Sequence, residues 1–570
     1  MTAPTGSNPN ALFTLKIHRG EGMALLAMNW KNGRPSNDFV GFAIEYKEPN
    51  GTKFWALNNR LTFPGQTKSK DTNKYSTLRS PIQKFRWVHF PLNADLPGNF
   101  TYRVTPVFMT PTDEISYGEA QTVDIVLASE TYPGQLNIAY TRGFVSSQAF
   151  VDYYSQDGKI STLLPASAKK GLTFTPTHPR AQQAYAWMGF EAYREILKLL
   201  DDAIADTEAK VMVVAYDFNE PDVVDRLVKL GTRVRVIIDN SGDHKKDGSA
   251  ENQAEQILIA SAGASNVKRQ HMGSLQHNKT IIVDGPTVKK AIGGSTNLSW
   301  RGFFVQNNNA AIVTGATAVQ VFTEAFDAYW ASDLPADFGT SPGASAWNDL
   351  GLEGIDAKVS FSPHADDNER LNEVADDISN NTTSSCFYSL AFLYETPGVI
   401  LDAIKKITNE KEIFVYGISD KKVGGITVTD PDGNKLPVAP EALGKDDLPE
   451  PFREEATGGS GTRMHHKFVV IDFDKPTARV YFGSYNFSVA ADTKNGENLF
   501  VIRDPRVATS YMIEAVRIFN HYEFRNIQSK ADKKKKVLEL AKPPVKAGDL
   551  AWWDEDYTDA IKIRDRELFS

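Results

Sequence analysis

HNKTIIVD at residues 277–284 and HHKFVVID at residues 465–472 are the stretches on which the reading of this chain turns. In the first, His277 and Lys279 are followed across four residues by Asp284; in the second, His465 and Lys467 are followed at the same spacing by Asp472. Each motif heads an apolar run, Thr-Ile-Ile-Val or Phe-Val-Val-Ile, which reads as a buried strand. Residues two apart on a strand point to one face, so each His-Lys pair can face a cleft. The residue between them points away, which gives His466 a packing role. Downstream lie Gly294-Ser295-Thr296-Asn297 and Gly483-Ser484-Tyr485-Asn486. Asn308 and Glu497 each fall eleven residues after the Asn of their Gly-Ser-x-Asn, and each opens a further apolar run. One such match is weak; two with equal spacing point to one duplicated unit.

The surroundings of the motifs also repeat. Residues 191–205 have helical periodicity, 210–216 read as a buried strand, 223–230 as a helix closed by Gly231, and 234–238 as a strand. The order returns at 371–378, 385–390, 399–407 and 412–416, and Phe174-Thr175-Pro176 and Phe361-Ser362-Pro363 precede the two copies. Alternating helices and strands predict an α/β fold in two halves, each with a largely parallel sheet covered by helices. The join falls at 332–358, rich in Asp, Gly, Ser and Pro.

Before residue 132 the texture is all-β. Short apolar or alternating runs at 15–17, 24–28, 40–46, 85–90, 102–108 and 122–127 are separated by turn signals at 49–51, 64–65 and 97–98, a spacing that suggests a sandwich. The predicted division is a β-sandwich at 1–132, one α/β half at 133–340, and a second half with a C-terminal extension at 341–570. In that extension Lys533–Lys536 reads as a solvated helix face and Trp552-Trp553 as core or docking surface. The pairs Asp201-Asp202 and Asp376-Asp377 read as solvated helix faces.

Composition sets outer limits. The chain has 570 residues, 41% hydrophobic and 24% charged, which suits two or three globular domains. Its one cysteine, Cys386, excludes an internal disulfide and fits a reducing compartment. No apolar run reaches the length of a membrane span, and residues 1–13 do not read as a secretory signal, so the expected location is cytoplasmic. A formal charge of −8 gives no general attraction to nucleic acid or anionic lipid. Lys245, Lys246, Lys268 and Arg269 could still form a local phosphate track.

The paired motifs suit a phosphodiester. Lys279 and Lys467 can neutralise the non-bridging oxygens, and Ser295, Asn297, Ser484 and Asn486 can donate to them. One imidazole attacks phosphorus to form a phosphohistidine; the other protonates the leaving oxygen and then takes a proton from water. His178, His271 and His364 lack ligand spacing and read as structural or surface residues. No metal or cofactor is called for, since the motifs offer no clustered carboxylates.

The two motifs, both Gly-Ser-x-Asn elements and the α/β repeat resemble the phospholipase D superfamily in its two-motif, single-chain form, over roughly residues 135–526. The resemblance implies halves packed about a pseudo-twofold axis, a metal-free reaction, His277 as nucleophile, His465 as general acid, and Asp284 and Asp472 as braces for the motifs. It implies a phospholipid or other phosphodiester substrate, hydrolysed or transferred to an alcohol, with peripheral membrane contact and no oligomer needed to complete the site. A nuclease of the same superfamily is the alternative, and a catalytically weak lipid- or nucleic-acid-binding protein is an alternative of another class. The superfamily often has Glu where Asn308 stands. Reading each partner within its own half places the amide beside His277, leaving it neutral, and Glu497 beside His465, favouring its protonated form. The stretches 40–46 and 102–104 resemble a fibronectin type III or immunoglobulin-like module.

Overall fold

The computed structural model describes residues 3–66, 75–91, 93–127, 130–143, 150, 153–365, 369–391, 393, 398–419, 428–429, 435–436, 465–533, 537–546 and 548–570. Lys534 to Lys536 of the lysine run lie outside them. The chain divides into two compact units, the first comprising Met1–Ser129, Thr427–Pro437 and Thr509–Ser570, the second Glu130–Ile426 and Val438–Ala508.

In the first unit each of the six predicted runs lies on or overlaps a strand. Phe13–Arg19, Ala24–Trp30 and Arg86–His89 form one antiparallel sheet; Gln121–Val126, Asn99–Met109, Phe39–Lys47 and Trp55–Ala56 form another. Alternation drives this pairing: Asn99–Met109 turns Phe100, Tyr102 and Val104 inward, where they share a core with Phe13, Leu15 and Ile17 of the other sheet. The C-terminal segment completes that core. Trp552 stacks on Phe85 at 5.3 Å between ring centroids and donates its indole N–H to Phe39 O at 3.1 Å. Trp553 is buried in the same cluster, and Arg86 grips Asp565 through two hydrogen bonds of 2.9 and 3.0 Å. The extension that the sequence attaches to the second α/β half thus falls, from Thr509 onward, in the unit of the sandwich. Patterning shows that Trp552 and Trp553 need a core, and only tertiary packing selects which one.

The second unit is mixed α/β and holds two seven-stranded sheets. One runs Leu136–Tyr140, Asn309–Thr314, Lys289–Gly294, Thr280–Asp284, Lys210–Ala215, Val234–Asp239, Val267–Gln270. The other runs Asn348–Asp349, Asp356–Ser362, Glu497–Arg503, Arg479–Gly483, Lys467–Ile471, Ser385–Leu390, Phe414–Ile418. Counted from Leu136–Tyr140 in the first and Asp356–Ser362 in the second, six strands run in the same order. The next four pairings in each are antiparallel and the fifth parallel.

The expectation of largely parallel sheets is therefore corrected: both are mixed. Each motif strand turns back into its neighbour through a short connection, from Asp284 to Lys289 and from Ile471 to Arg479, and such a return can only be antiparallel. Parallel neighbours arise where a helix makes the crossover, as Pro221–Leu230 does between Lys210–Ala215 and Val234–Asp239. That helix starts on Pro221, with Glu220 accepting from Val223 N at 2.9 Å, and ends at Gly231, whose φ of +59° suits glycine. Both motif strands are central, and Lys467–Ile471 is buried along its whole length. Their central position fixes the N-terminal ends of the strands, where the histidines sit.

Candidate active site

The two motifs meet. The imidazoles of His277 and His465 lie 6.3 Å apart between ring centroids, inclined by 64°, and both side chains are buried. The partners that hold them come from the opposite halves. His277 Nδ1 lies 3.0 and 2.8 Å from the two oxygens of Glu497. His465 Nδ1 lies 2.8 Å from Asn308 Oδ1. This exchanges the pairing expected from sequence, which placed Asn308 beside His277 and Glu497 beside His465. A carboxylate accepts and cannot donate, so Nδ1 of His277 carries the hydrogen and Nε2 is left with its lone pair. Asn308 presents its carbonyl oxygen because its amide nitrogen donates to Gly302 O at 2.8 Å, so His465 also carries its hydrogen on Nδ1.

The crossing extends to the residues between His and Lys. Asn278 Oδ1 accepts from Asn498 Nδ2 at 2.6 Å, and His466 Nδ1 meets Asn309 Nδ2 at 3.3 Å. His466 is fully buried beside Phe468, so it packs across the halves and does not face the reaction centre. Within the second half, Gly483 lets its strand lie close to Glu497–Arg503: a Cβ there would lie 2.1 Å from Asn498 O, and its φ is +153°. The strands Lys289–Gly294 and Glu497–Arg503 are further tied where Gly294 N donates to Asn498 Oδ1 at 3.0 Å.

Both lysines are buried beside the rings. Lys467 Nζ donates to His465 O at 2.8 Å, and Lys279 Nζ donates to His277 O and sits 4.8 Å from the centre of the Tyr216 ring. Burial pushes Lys279 down to about 7, against the pull of Glu497, Asp217 and Asp239. Burial also lowers His277, opposed by Glu497. His465 lies well below its ordinary value through burial and then the charges of Lys467 and Lys279. Burial thus favours the neutral imidazole at both His277 and His465.

The Gly-Ser-x-Asn residues divide their work differently from the sequence reading. Ser295 donates to Asn308 Oδ1 and accepts from Asn309 N, both at 3.0 Å, while Ser484 accepts from Asn498 N at 2.9 Å. The Ser295 hydroxyl thus braces Asn308 from the first half, and Ser484 supports Asn498, the neighbour of Glu497. Asn297 Oδ1 and Asn486 Oδ1 are buried without a protein partner.

The two motif aspartates, expected as braces, sit at the far ends of the motif strands. Asp284 closes the strand Thr280–Asp284, four steps and about 13 Å from its start, and is exposed beside Lys289. Asp472 is buried and accepts from Thr383 N, Ser384 N and Ser385 N at 3.0, 2.8 and 3.1 Å, so it ties the far end of the motif strand to its neighbour.

Sequence reasoning missed a cluster beside the site. Asp217 and Asp239, at the C-terminal ends of two parallel strands, clamp His244, which lies 3.1 Å from Asp217 Oδ1 and 2.7 Å from Asp239 Oδ2. The Tyr216 ring lies 4.6 Å from the rings of both His244 and His277. Carboxylates ending parallel strands were the available signal. With Glu251 nearby, the cluster supplies the grouped carboxylates that sequence did not foresee. Three of the four residues of the expected phosphate track are engaged in structure: Arg269 holds Glu255 at 3.1 Å and His244 O at 2.8 Å, Lys268 holds Trp330 O at 2.9 Å, and Lys246 pairs with Asp243, while Lys245 is exposed. His364 is buried between Asp492 and Ser360, at 2.7 and 2.9 Å, His178 holds Tyr154 O at 3.1 Å, and His271 bonds to Met272 O at 2.6 Å. Asp377 is no solvated face, since it binds Arg479 at 2.7 and 2.9 Å and the Tyr481 hydroxyl at 2.8 Å.

Residues 200–330 and 380–519 match the family described as "Cardiolipin synthase, PLD-like domain". A curated phospholipase D of Rickettsia typhi is 46% identical over 48 residues, which are 8% of this chain and 22% of that protein. The match thus spans about a fifth of the relative's length. The crystal structure of a phosphatidylserine synthase from Haemophilus influenzae Rd KW20 is similar at 13% identity and a TM-score of 0.40, covering 61% of this chain and 92% of that one. Nuc from Salmonella typhimurium, a phospholipase D family member, is similar at 24% identity and a TM-score of 0.20, covering 25% of this chain and 87% of that one. No helix among the described residues is long and apolar enough to cross a membrane. Over these two segments, then, the chain is similar to a PLD-like domain.

Proposed function

We propose that the protein is a phosphodiesterase of the phospholipase D type, which transfers the phosphatidyl group of a phospholipid to water or an alcohol through a phosphohistidine on His277. The observation that carries this reading is the crossed pairing of His277 with Glu497 and His465 with Asn308. Two buried imidazoles, each held through Nδ1, are left with Nε2 for chemistry, and their partners differ in charge.

Glu497 makes His277 the nucleophile. It fixes the lone pair on Nε2 and stabilises the positive ring that forms as nitrogen bonds to phosphorus. Asn308 offers no charge, so a proton on His465 is held weakly and is readily given to the leaving alkoxide. The bound phosphodiester brings the negative charge that supports that proton, between Lys279 and Lys467. As the N–P bond forms, the P–O bond to the leaving group breaks and its oxygen takes the His465 proton. Neutral His465 then takes a proton from water or alcohol; the oxygen attacks phosphorus, the N–P bond breaks and its electron pair returns to His277. Nucleophile and acid keep the roles that the resemblance implies, with the opposite electrostatic reason. The first 130 residues would serve as a docking or stabilising module.

The test is incubation of purified protein with labelled phosphatidylcholine, phosphatidylglycerol vesicles, and single-stranded and duplex DNA. Head-group release supports the reading. Cutting of DNA alone would assign a metal-independent nuclease, and no turnover of any of them, nor of bis(p-nitrophenyl) phosphate, would leave a binding protein.

A further inference from the structure

We propose that His244 is a positioning residue of the phosphodiester site, joining the loop that carries His277 to the amide of Asn297 through the two carboxylates that clamp its ring. The inference rests on the function proposed above and adds a residue outside both motifs.

The geometry runs in two directions from one ring. Asp239 binds His244 Nδ1 through Oδ2 at 2.7 Å and, through Oδ1, accepts the backbone N–H of Gln276 at 2.7 Å, immediately before His277. Asp217 binds His244 Nε2 through Oδ1 at 3.1 Å and, through Oδ2, accepts from Asn297 Nδ2 at 3.2 Å. Asn297 is buried and its Oδ1 has no protein partner, so its orientation is set from the nitrogen side alone. His244 is itself fixed by Arg269, which donates to its carbonyl oxygen at 2.8 Å, and by Ser249, whose hydroxyl does so at 2.7 Å.

A ring nitrogen facing a carboxylate on each side must donate from both, so His244 is an imidazolium. Burial opposes that state, but Asp217 and Asp239 prevail and raise it to about 10. An imidazolium has no lone pair for a metal, so the grouping of Asp217, His244 and Glu251 is an ion cluster with its cation already supplied.

The charge reaches Lys279. That amine is faced by Glu497, Asp217 and Asp239 as anions, by the Tyr216 ring, and by His277 and His465. Asp217, Asp239, Glu251 and Asp243 face His244. With His244 charged, Asp217 and Asp239 are offset, and their hold on the Lys279 proton is limited. Removing that charge strengthens the hold, so Lys279 keeps its proton to higher pH.

The experiment uses full-length His244→Gln and His244→Ala with bis(p-nitrophenyl) phosphate, whose good leaving group removes the need for the His465 proton. Expected are a fall in kcat of roughly tenfold to a hundredfold from misplacement of the site and an upward move of the alkaline limb of kcat/KM. Inorganic phosphate should also bind more weakly in both variants. A loss of rate equal at all pH values, with the limb and phosphate affinity unchanged, would overturn the proposal. Imidazole nitrogen shifts of the wild-type protein labelled in histidine give a readout without turnover. One ring, absent from His244→Gln, should stay doubly protonated above pH 8, and a neutral His244 would sink the idea. If the wild type binds phosphate and shows this ring but turns over no phosphodiester, the functional reading fails while the clamp stands.

Discussion

Glu497 Oε2 lies 2.8 Å from Nδ1 of His277, although 220 residues of chain separate them. One half supplies the imidazole and the other the carboxylate that orients it, and His465 with Asn308 repeats the exchange. Neither half holds a complete site. Each ring is thus held by a residue of the other half.

Replacement of His277 or His465 by alanine should each abolish turnover, with the double variant little worse, because both act in one reaction. Rapid-quench peptide mass spectrometry with an activated leaving group should find phosphate on His277 in His465→Ala. Phosphate on His465 alone would reverse the roles.

Glu497→Gln should lower kcat about a hundredfold to ten-thousandfold through loss of ring orientation and charge stabilisation. The carboxylate raises His277 against the effect of burial, so its removal lets the ring lose its proton at lower pH. The acid limb of kcat/KM should therefore move to lower pH while the plateau falls. A limb that moves to higher pH would contradict the pairing.

Activity should survive EDTA, since the proposed reacting groups are imidazoles and amines and, among the described residues, His244 fills the carboxylate cluster beside them as a cation. Loss in chelator that returns with added Mg²⁺, Ca²⁺ or Zn²⁺ would remove this mechanism.

Asp284 and Asp472 occupy the same motif position and should behave differently. Asp472→Ala leaves three backbone N–H groups without their acceptor and should cost about 2–4 kcal/mol in urea unfolding. Asp284→Ala removes an exposed pair with Lys289 and should change stability by about 0.5 kcal/mol or less. Equal effects would show that the motif aspartate has one role in both halves.

Deletion of residues 1–129 alone should give an aggregating protein, because Trp552, Trp553 and Tyr557 lose the core that covers them. A soluble, cooperatively melting fragment by light scattering and calorimetry would show that the C-terminal segment finds other cover.

The sequence by itself determined the elements and the inventory of the site. Apolar runs of strand length behind each His-x-Lys, Gly231 at the end of one helix, and alternation at 102–108 are local signals, and local sterics and burial act on them directly. So the motif strands, the repeated order and the paired histidines, lysines and asparagines were legible. Tertiary structure decided what depends on distance in space. It set the antiparallel return of each motif strand, placed residues 551–557 against Phe39 and Phe85, and gave Glu497 to His277 and Asn308 to His465. It also gathered Asp217, Asp239 and His244 into one clamp from strand ends that carry no shared pattern. The reason is physical: patterning says which face of an element must be buried, but a charge–imidazole pair is selected by approach to within 3 Å, and that follows from how the two sheets pack. A single sequence offers both pairings, within each half and across the halves, and only the three-dimensional arrangement selects between them.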